Sequence, residues 1–150
     1  MAMSPEFSVR IEKWPTAREA ACHVRFVVFV EEQQVSPEIE LDEWDAASDH
    51  AIATDASGRA IATGRLLPDG HIGRMAVLRD WRGHGVGAAV LAALLERATE
   101  LGMQHAILNA QTHARGFYAR FGFTQTGAEF MEAGIPHVGM VLRLDARTEG

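Results

Sequence analysis

Apolar and polar residues alternate over residues 7–12, and a period of two is typical of a strand with one buried face. The apolar residues that follow recur every three or four positions, which predicts a helix that ends near Glu32. Thr16 and Glu19 stand ahead of this pattern at the spacing of a capping box, so we expect them to begin the helix.

Pro37 and the acidic segment EIELDEWD (residues 38–45) interrupt the helical pattern. Three short apolar runs follow at residues 50–54, 59–67 and 71–78, and the turn sequences DASG and PDG separate them. Turns this short join neighbouring antiparallel strands, so the three runs predict an antiparallel meander.

The second half of the chain alternates helical and extended patterns. One long helix is predicted from a single apolar face, which comprises Val90, Leu91, Leu94, Leu95, Ala98 and Leu101. The run AILNA at 106–110 predicts a short buried strand, and Thr112 is placed to cap another helix that stops at Gly122. Strands near residues 123–126 and 137–144 complete the pattern.

The predicted order is β-α-βββ-α-β-α-ββ, and we expect one α/β domain over residues 1–150 with a mixed sheet and helices on both faces. A doubly wound dinucleotide-binding fold begins with parallel βαβ units and carries its glycine motif after the first strand. The glycines of GHGVG at residues 83–87 instead follow the fourth predicted strand. They match neither that motif nor a Walker loop.

The composition limits the classes of partner. Lys and Arg number 14 against 20 Asp and Glu, and this net charge of −6 argues against nucleic acid as the main partner. No apolar run reaches the roughly 18 residues of a membrane span, and the first residues do not resemble a signal peptide. The single Cys22 excludes an internal disulfide, no pair of His or Cys has zinc-ligand spacing, and we expect a cytoplasmic protein.

The glycine-rich segment Arg82–Ala88 lies where the fourth predicted strand becomes a helix. A helix start offers unpaired N–H groups and the positive end of a dipole, which suit a phosphate. Glycines let a ligand approach the backbone closely, and Arg82 adds a positive charge. The segment therefore predicts a pyrophosphate cradle, with a tight turn that binds no ligand as the alternative.

The pattern R-x-x-G-x-G formed by Arg82, Gly85 and Gly87 resembles the acetyl-CoA pyrophosphate motif of the GNAT superfamily of N-acetyltransferases. The segment RMAVLRDW at 74–81 resembles the fourth strand of that superfamily, and FYARFGF at 117–123 resembles its later helix–strand motif. Further details resemble the ElaA-like branch of bacterial acetyltransferases. They are VFVEEQ at 28–33, Gly64-Arg65, Gly73-Arg74, AQTH at 110–113 and FMEAGIPHVGM at 130–140.

The resemblance implies acetyl-CoA as co-substrate, no metal, and a sheet whose fourth and fifth strands splay to admit the pantetheine arm. The residues expected to bind acetyl-CoA are Met75, Ala76, Val77, Arg82, Gly83, His84, Gly85, Val86, Gly87, Ala88, Asn109 and Tyr118. An N–H near Val77 is expected to stabilise the oxyanion when an amine attacks the thioester directly. Tyr118 is the expected acid for the departing thiolate, and a packed core aromatic is the alternative.

The acceptor side carries several candidates. Glu132 in the last hairpin is a predicted catalytic residue, and the predicted acceptor-binding residues are Glu32, Arg74, His113 and His137. Which of Glu32, Glu132, His113 and His137 acts as the general base stays open from the sequence. A surface or structural role is the alternative for each of them. Arg65 and Arg74 either bind an acidic acceptor or pair with the carboxylates of EIELDEWD, whereas His50 is expected to be structural.

Two other function classes stay open from the sequence: a domain that senses acyl-CoA without turnover, and a different nucleotide-binding domain. The expected acceptor is a small-molecule or peptide amine, with an amino sugar, a polyamine, an amino acid, a drug or a protein lysine all allowed. A homodimer is compatible with the sequence.

Overall fold

The strands that the sequence predicts are present in the computed structural model, which describes residues 6–37 and 41–144. In this part of the chain, one mixed sheet has the order β1-β2-β3-β4-β5-β7-β6. Its strands are β1 (Phe7–Lys13), β2 (Asp49–Asp55), β3 (Ala60–Leu66), β4 (His71–Val77), β5 (His105–Gln111), β6 (Thr124–Glu132) and β7 (Ile135–Arg143). The first residues and part of the acidic segment, 38–40, lie outside the described residues.

The helical elements are α1 (Trp14–Arg25), a π-helical segment (Phe26–Glu32), α2 (Val86–Glu100) and α3 (Arg115–Ala119). Single 3₁₀ turns occupy Glu43–Asp45, Arg79–Trp81 and Thr112–Ala114. Within the described ranges, none of the helices combines the length and the apolar character needed to cross a membrane.

The first helix reaches Glu32 as predicted, but its last seven residues are π-helical. The predicted capping box is wrong, because α1 begins at Trp14 and no side chain caps it. Pro15 in the first turn explains the earlier start, since proline lacks the N–H that a helix start leaves unpaired and has the helical φ already. Thr16 therefore lies inside the helix.

Thr112 does not cap a helix either. It opens a 3₁₀ turn, and α3 begins only at Arg115 without a side-chain cap. Tight 3₁₀ turns are frequent at helix starts, and here the turn delays the α-helix by three residues. The predicted stop at Gly122 agrees with the backbone, whose φ of +100° there favours glycine.

The edge strand β6 is much longer than the sequence predicted. All nine residues from Thr124 to Glu132 are exposed, so no apolar alternation marks them. The strand forms because it pairs with β7 in an antiparallel register. That register shifts between Thr126 and Phe130, next to Gly127 with a φ of +81°, so the edge carries an irregularity.

The two long helices pack on opposite faces of the sheet. Ile52 of β2 lies in one apolar cluster with Ala17 and Ala21 of α1. Its neighbours Ala51 and Ala53 belong to the main core, where they join the apolar face of α2. Successive side chains of a strand point to opposite faces, so this division confirms the predicted three-layer arrangement.

The parallel strands β4 and β5 pair only near their beginnings, His71 with Ile107 and Ile72 with Leu108. The remaining residues of the two strands diverge, which confirms the predicted splay. β4 also carries a bulge toward β3, and Arg74 within it has a left-handed φ of +50°.

Candidate functional site

The glycine-rich turn between β4 and α2 has a backbone that only glycine adopts easily. Gly83 and Gly85 have φ values of +82° and +80°, and open space surrounds the place where a Cβ would stand on either residue. Gly85 is the N-cap of α2, and no side chain caps the helix. The first amides of α2 therefore lack a side-chain acceptor beside open space, an arrangement suited to an anion.

A cleft of about 470 Å³ opens at this turn. It brings together the end of β4, the turn and α3. Its lining comprises Val77, Trp81, Arg82, Gly83, Gly85, Val86, Gly87, Ala88, Phe117, Arg120 and Phe121. The volume falls in the range of small-molecule and cofactor sites, about 300–1,000 Å³.

Four residues of this lining were not among the predicted site residues: Trp81, Phe117, Arg120 and Phe121. Three of them lie within FYARFGF, so the motif itself was the signal that could have identified them. The exposed Arg120 at the end of α3 adds a second cation to the cleft lining.

The remaining predicted cofactor residues lie around the cleft and do not line it. Met75 and Ala76 belong to β4, and exposed Asn109 belongs to β5 across the splay. The Met75 sulfur lies against Gly64 of β3, where an added Cβ would stand only 2.6 Å from it. Exposed His84 contacts Trp81 edge-on, with ring centroids 6.1 Å apart.

Arg82 and Glu32, predicted for the cofactor and the acceptor respectively, form an ion pair. Both terminal nitrogens of Arg82 donate to the Glu32 carboxylate at 2.7 Å, and its Nε donates to the Val77 carbonyl at 3.0 Å. This hydrogen-bonded guanidinium lowers the pKa of Glu32 below its ordinary value. A residue predicted to bind the cofactor and a residue predicted to bind the acceptor are therefore in direct contact.

A second pocket of about 390 Å³ lies on the other side of Trp81. Its lining residues are Val27, Glu31, Glu32, Arg59, Leu78, Arg79, Asp80 and Trp81. Glu32 lines this charged pocket, and Trp81 lines both the pocket and the cleft at the glycine turn.

Tyr118 is 9% exposed, and its ring meets Phe117 and Phe123 edge-on. Burial raises its pKa to about 12, because the charged phenolate loses its hydration there. The hydroxyl is protonated at neutral pH, as a proton donor must be, and its burial makes it a weaker acid than an exposed tyrosine.

Glu132 and His137, predicted from the last hairpin, lie together. His137 is 6% exposed, and its Nδ1 lies 2.7 Å from the Ile135 carbonyl oxygen. A carbonyl only accepts, so Nδ1 carries the proton. In the neutral ring, Nε2 then holds a lone pair, 3.6 Å from a carboxylate oxygen of Glu132. The ring stacks on Phe130 at a centroid distance of 6.0 Å.

Arg65 and Arg74 pair with the acidic segment, which is the second of the two predicted alternatives. Arg65 donates to Asp42 at 2.6 and 2.9 Å and to Asp45 at 2.9 Å. Arg74 donates to Asp42 at 3.2 Å, and its side chain is 25% exposed. The pKa of Asp42 is lowered, chiefly by its hydrogen bonds from Arg65.

Buried Arg25 completes this ionic network, and sequence reasoning missed it. Its guanidinium is 1% exposed and donates to both carboxylate oxygens of Asp45 at 2.8 and 3.1 Å. The Nε2 atom of His50 contacts the Asp45 carbonyl oxygen at 2.8 Å. The structural role expected for His50 is confirmed, whereas predicted His113 stands exposed in its 3₁₀ turn, apart from this network.

Comparison with known proteins finds consistent relatives. A family model described as "Acetyltransferase (GNAT) domain" matches residues 15–144. YjcF of Bacillus subtilis, described as an uncharacterized N-acetyltransferase, is 39% identical over 125 residues, 81% of this chain and 89% of that protein. An acyl-CoA N-acyltransferase structure from Pseudomonas aeruginosa is 29% identical with a TM-score of 0.81, covering 91% of this chain and 99% of that one. Escherichia coli ElaA is 27% identical with the same TM-score and the same coverage.

Proposed function

The chain belongs to the GNAT acetyltransferase family, and on that basis we propose that it transfers the acetyl group of acetyl-CoA to a primary amine by direct attack in a ternary complex. The family as a whole transfers acyl groups from acyl-CoA, and the expected fold is confirmed by the solved structures. Acetyl as the acyl group, the amine acceptor and the direct attack are our proposal.

The observation that carries the proposal is the cleft at the uncapped start of α2. Backbone amides at the start of α2 are available to hold a pyrophosphate, because open space surrounds Gly83 and Gly85 and no side chain caps the helix. Arg120 faces the same cleft and supplies a positive charge for the phosphates. Among the described residues, no cluster of His, Cys, Asp and Glu has the arrangement of a metal site.

The splay between β4 and β5 suits the pantetheine arm. Past Ile72 the β4 backbone is not paired with β5, so its outward N–H and C=O groups are available to the amides of the arm, except the Val77 carbonyl, which accepts from Nε of Arg82. In this proposal an N–H near Val77 polarises the thioester carbonyl and stabilises the oxyanion that forms on attack.

Two groups supply the proton steps. Tyr118 holds its proton at neutral pH and donates it to the CoA thiolate as the carbon–sulfur bond breaks. On the acceptor side, Nε2 of His137 takes a proton from the amine, and the Glu132 carboxylate stabilises the resulting imidazolium. Glu132 thus acts on the proton through His137 in this proposal.

The proposal is tested by two measurements on the intact protein. Calorimetric titration should show tighter binding of acetyl-CoA than of NAD or ATP. Thiol detection with a panel of amines should then show release of free CoA that depends on the amine. Acetyl-CoA binding without turnover on any amine would favour an acyl-CoA sensor, and stronger binding of NAD or ATP would contradict the cofactor assignment.

A further inference from the structure

The carboxyl ends of β4 and β5 need something to fix their separation. The two strands share paired positions only at His71–Ile72 and Ile107–Leu108, so no β4–β5 backbone pairing joins Val77 to Gln111. A gap without a ladder is free to widen or close unless side chains bridge it. Two consecutive residues at the end of the π-helical segment make such a bridge.

Glu32 forms the contact to the β4 side. Its carboxylate receives two hydrogen bonds of 2.7 Å from Arg82, whose Nε is hydrogen-bonded to the carbonyl of Val77, the last residue of β4. This pairing is bidentate, the geometry in which Arg binds a carboxylate most strongly. The end of β4 is thereby attached to the end of the π-helical segment.

Gln33 forms the contact to the β5 side. Its amide and that of Gln111, the last residue of β5, donate to each other at 3.3 and 3.0 Å. Neighbouring helical residues point in different directions, so Glu32 and Gln33 can reach different strands. The next residue, Gln34, has a left-handed φ of +61°, which ends the helical path immediately after the two contacts.

We infer that Glu32 and Gln33 form a crossbar that fixes the distance between the carboxyl ends of β4 and β5 and so sets the width of the slot for the pantetheine arm. The identity of the ligand rests on the proposed function, whereas the bridge itself does not. Glu32, Gln33 and Gln111 are positioning residues in this inference. Arg82 acts through Val77 and Glu32, and the backbone amides of the turn hold the phosphates.

The test removes the β5 contact, which lies away from the phosphates. Gln33→Ala, Gln111→Ala and the double variant are titrated with CoA and with 3′-phospho-ADP, which lacks the pantetheine arm. Loss of the paired amides should weaken CoA binding about threefold to tenfold and leave 3′-phospho-ADP binding unchanged. Because both substitutions remove the same pair, the double variant should be no weaker than either single one.

Two surface variants serve as matched controls. Gln125→Ala removes an exposed amide that donates to the Gly127 carbonyl at 3.0 Å, and it should not change either affinity. Arg79→Gln removes a guanidinium that is 76% exposed and lies 3.9 Å from Glu32, and it should also leave both unchanged. Glu32→Gln should weaken the binding of CoA. Tighter binding of CoA by this variant would mean that Glu32 competes with phosphate for Arg82, and that result would overturn the crossbar.

Amide hydrogen exchange of the unliganded protein gives a readout that does not depend on the cofactor. The crossbar predicts faster exchange near Met75–Val77 and Asn109–Gln111 in both single variants, with the core of α2 unchanged. Unchanged exchange at those strand ends, or equal weakening of CoA and 3′-phospho-ADP, would overturn the inference. If the wild-type protein binds neither ligand, the proposed function fails, while the exchange result still decides the crossbar.

Discussion

The buried ionic network offers the sharpest stability prediction, through the substitution Asp45→Asn. Asp45 is 2% exposed, and its carboxylate receives hydrogen bonds from Arg25 and Arg65. Asparagine has nearly the same volume, so the change removes a charge without leaving a cavity. Arg65 keeps its pair with Asp42, whereas Arg25 loses the carboxylate that both its terminal nitrogens contact.

The expected decrease in the free energy of unfolding follows from the burial of Arg25, whose side chain is 1% exposed. Removing one partner of a buried ion pair costs about 3–5 kcal/mol, because the remaining charge cannot regain its hydration. The amide oxygen of asparagine still accepts one hydrogen bond, so we expect the lower end, about 3 kcal/mol. Exposed Glu96→Gln on α2 is the control and should change stability by less than about 0.5 kcal/mol.

Urea denaturation followed by circular dichroism measures the difference. With a slope of about 2 kcal/mol per molar urea, the midpoint of Asp45→Asn should fall by about 1.5 M at pH 7. Burial opposes ionisation of Asp45, but the hydrogen bonds and charges of Arg25 and Arg65 outweigh it and lower its pKa. This stabilisation is therefore complete above the unfolded pKa of about 3.9 and disappears as the pH falls through the lower folded pKa.

The difference in the free energy of unfolding between wild type and Asp45→Asn should accordingly decrease as the pH is lowered from 5 toward 3. A difference below about 1 kcal/mol at pH 7, with an unchanged urea slope and no narrowing in acid, would refute the reasoning. It would mean that the attraction in the network only offsets the desolvation of its charges.

Three further changes address the site. Gly87→Leu should weaken the binding of acetyl-CoA at least tenfold in calorimetry, because Gly87 has an ordinary φ and the new side chain would start 3.5 Å from Val77 and enter the cleft. Gly116→Leu is the control at an exposed position and should bind acetyl-CoA with wild-type affinity. Tyr118→Phe should lower kcat by roughly 10²-fold or less, and this loss should exceed the rise in KM for acetyl-CoA. If kcat is unchanged while chemistry is rate-limiting, Tyr118 is a packing residue and not the acid. Glu132→Gln and His137→Ala should each lower kcat/KM for the amine about tenfold and leave the affinity for acetyl-CoA unchanged. If both variants instead show a lower Tm with normal kinetics, the last hairpin is not part of the active site.

The strongly periodic elements could be predicted because burial imposes their pattern. The apolar face of α2 and the meander of β2 to β4 follow directly from it. The edge strand β6 could not, because none of its residues is buried and only pairing with β7 defines it. The start of α1 was misplaced because Pro15 outweighs the capping pattern of Thr16.

The candidate site likewise has a part that could be predicted from the sequence and a part that could not. The glycine turn is contiguous in sequence, so its phosphate-binding character could be inferred from residues 82–88 alone. The Glu32–Arg82 pair spans 50 positions and the Gln33–Gln111 pair spans 78, and neither has a local signature. Such pairs depend on where the fold brings distant segments, which one sequence does not encode in any short pattern.

The irregular edge of β6 also bears on how the protein behaves when concentrated. A long, flat, free strand is a template onto which another copy can add, and continued addition leads to fibrils. Gly127 and the shifted register beside it interrupt that template in the middle of β6. The net charge of −6 adds repulsion between copies. The β6 edge of the sheet is therefore protected against edge-to-edge aggregation, and a dimer, where one forms, should use a surface other than this edge.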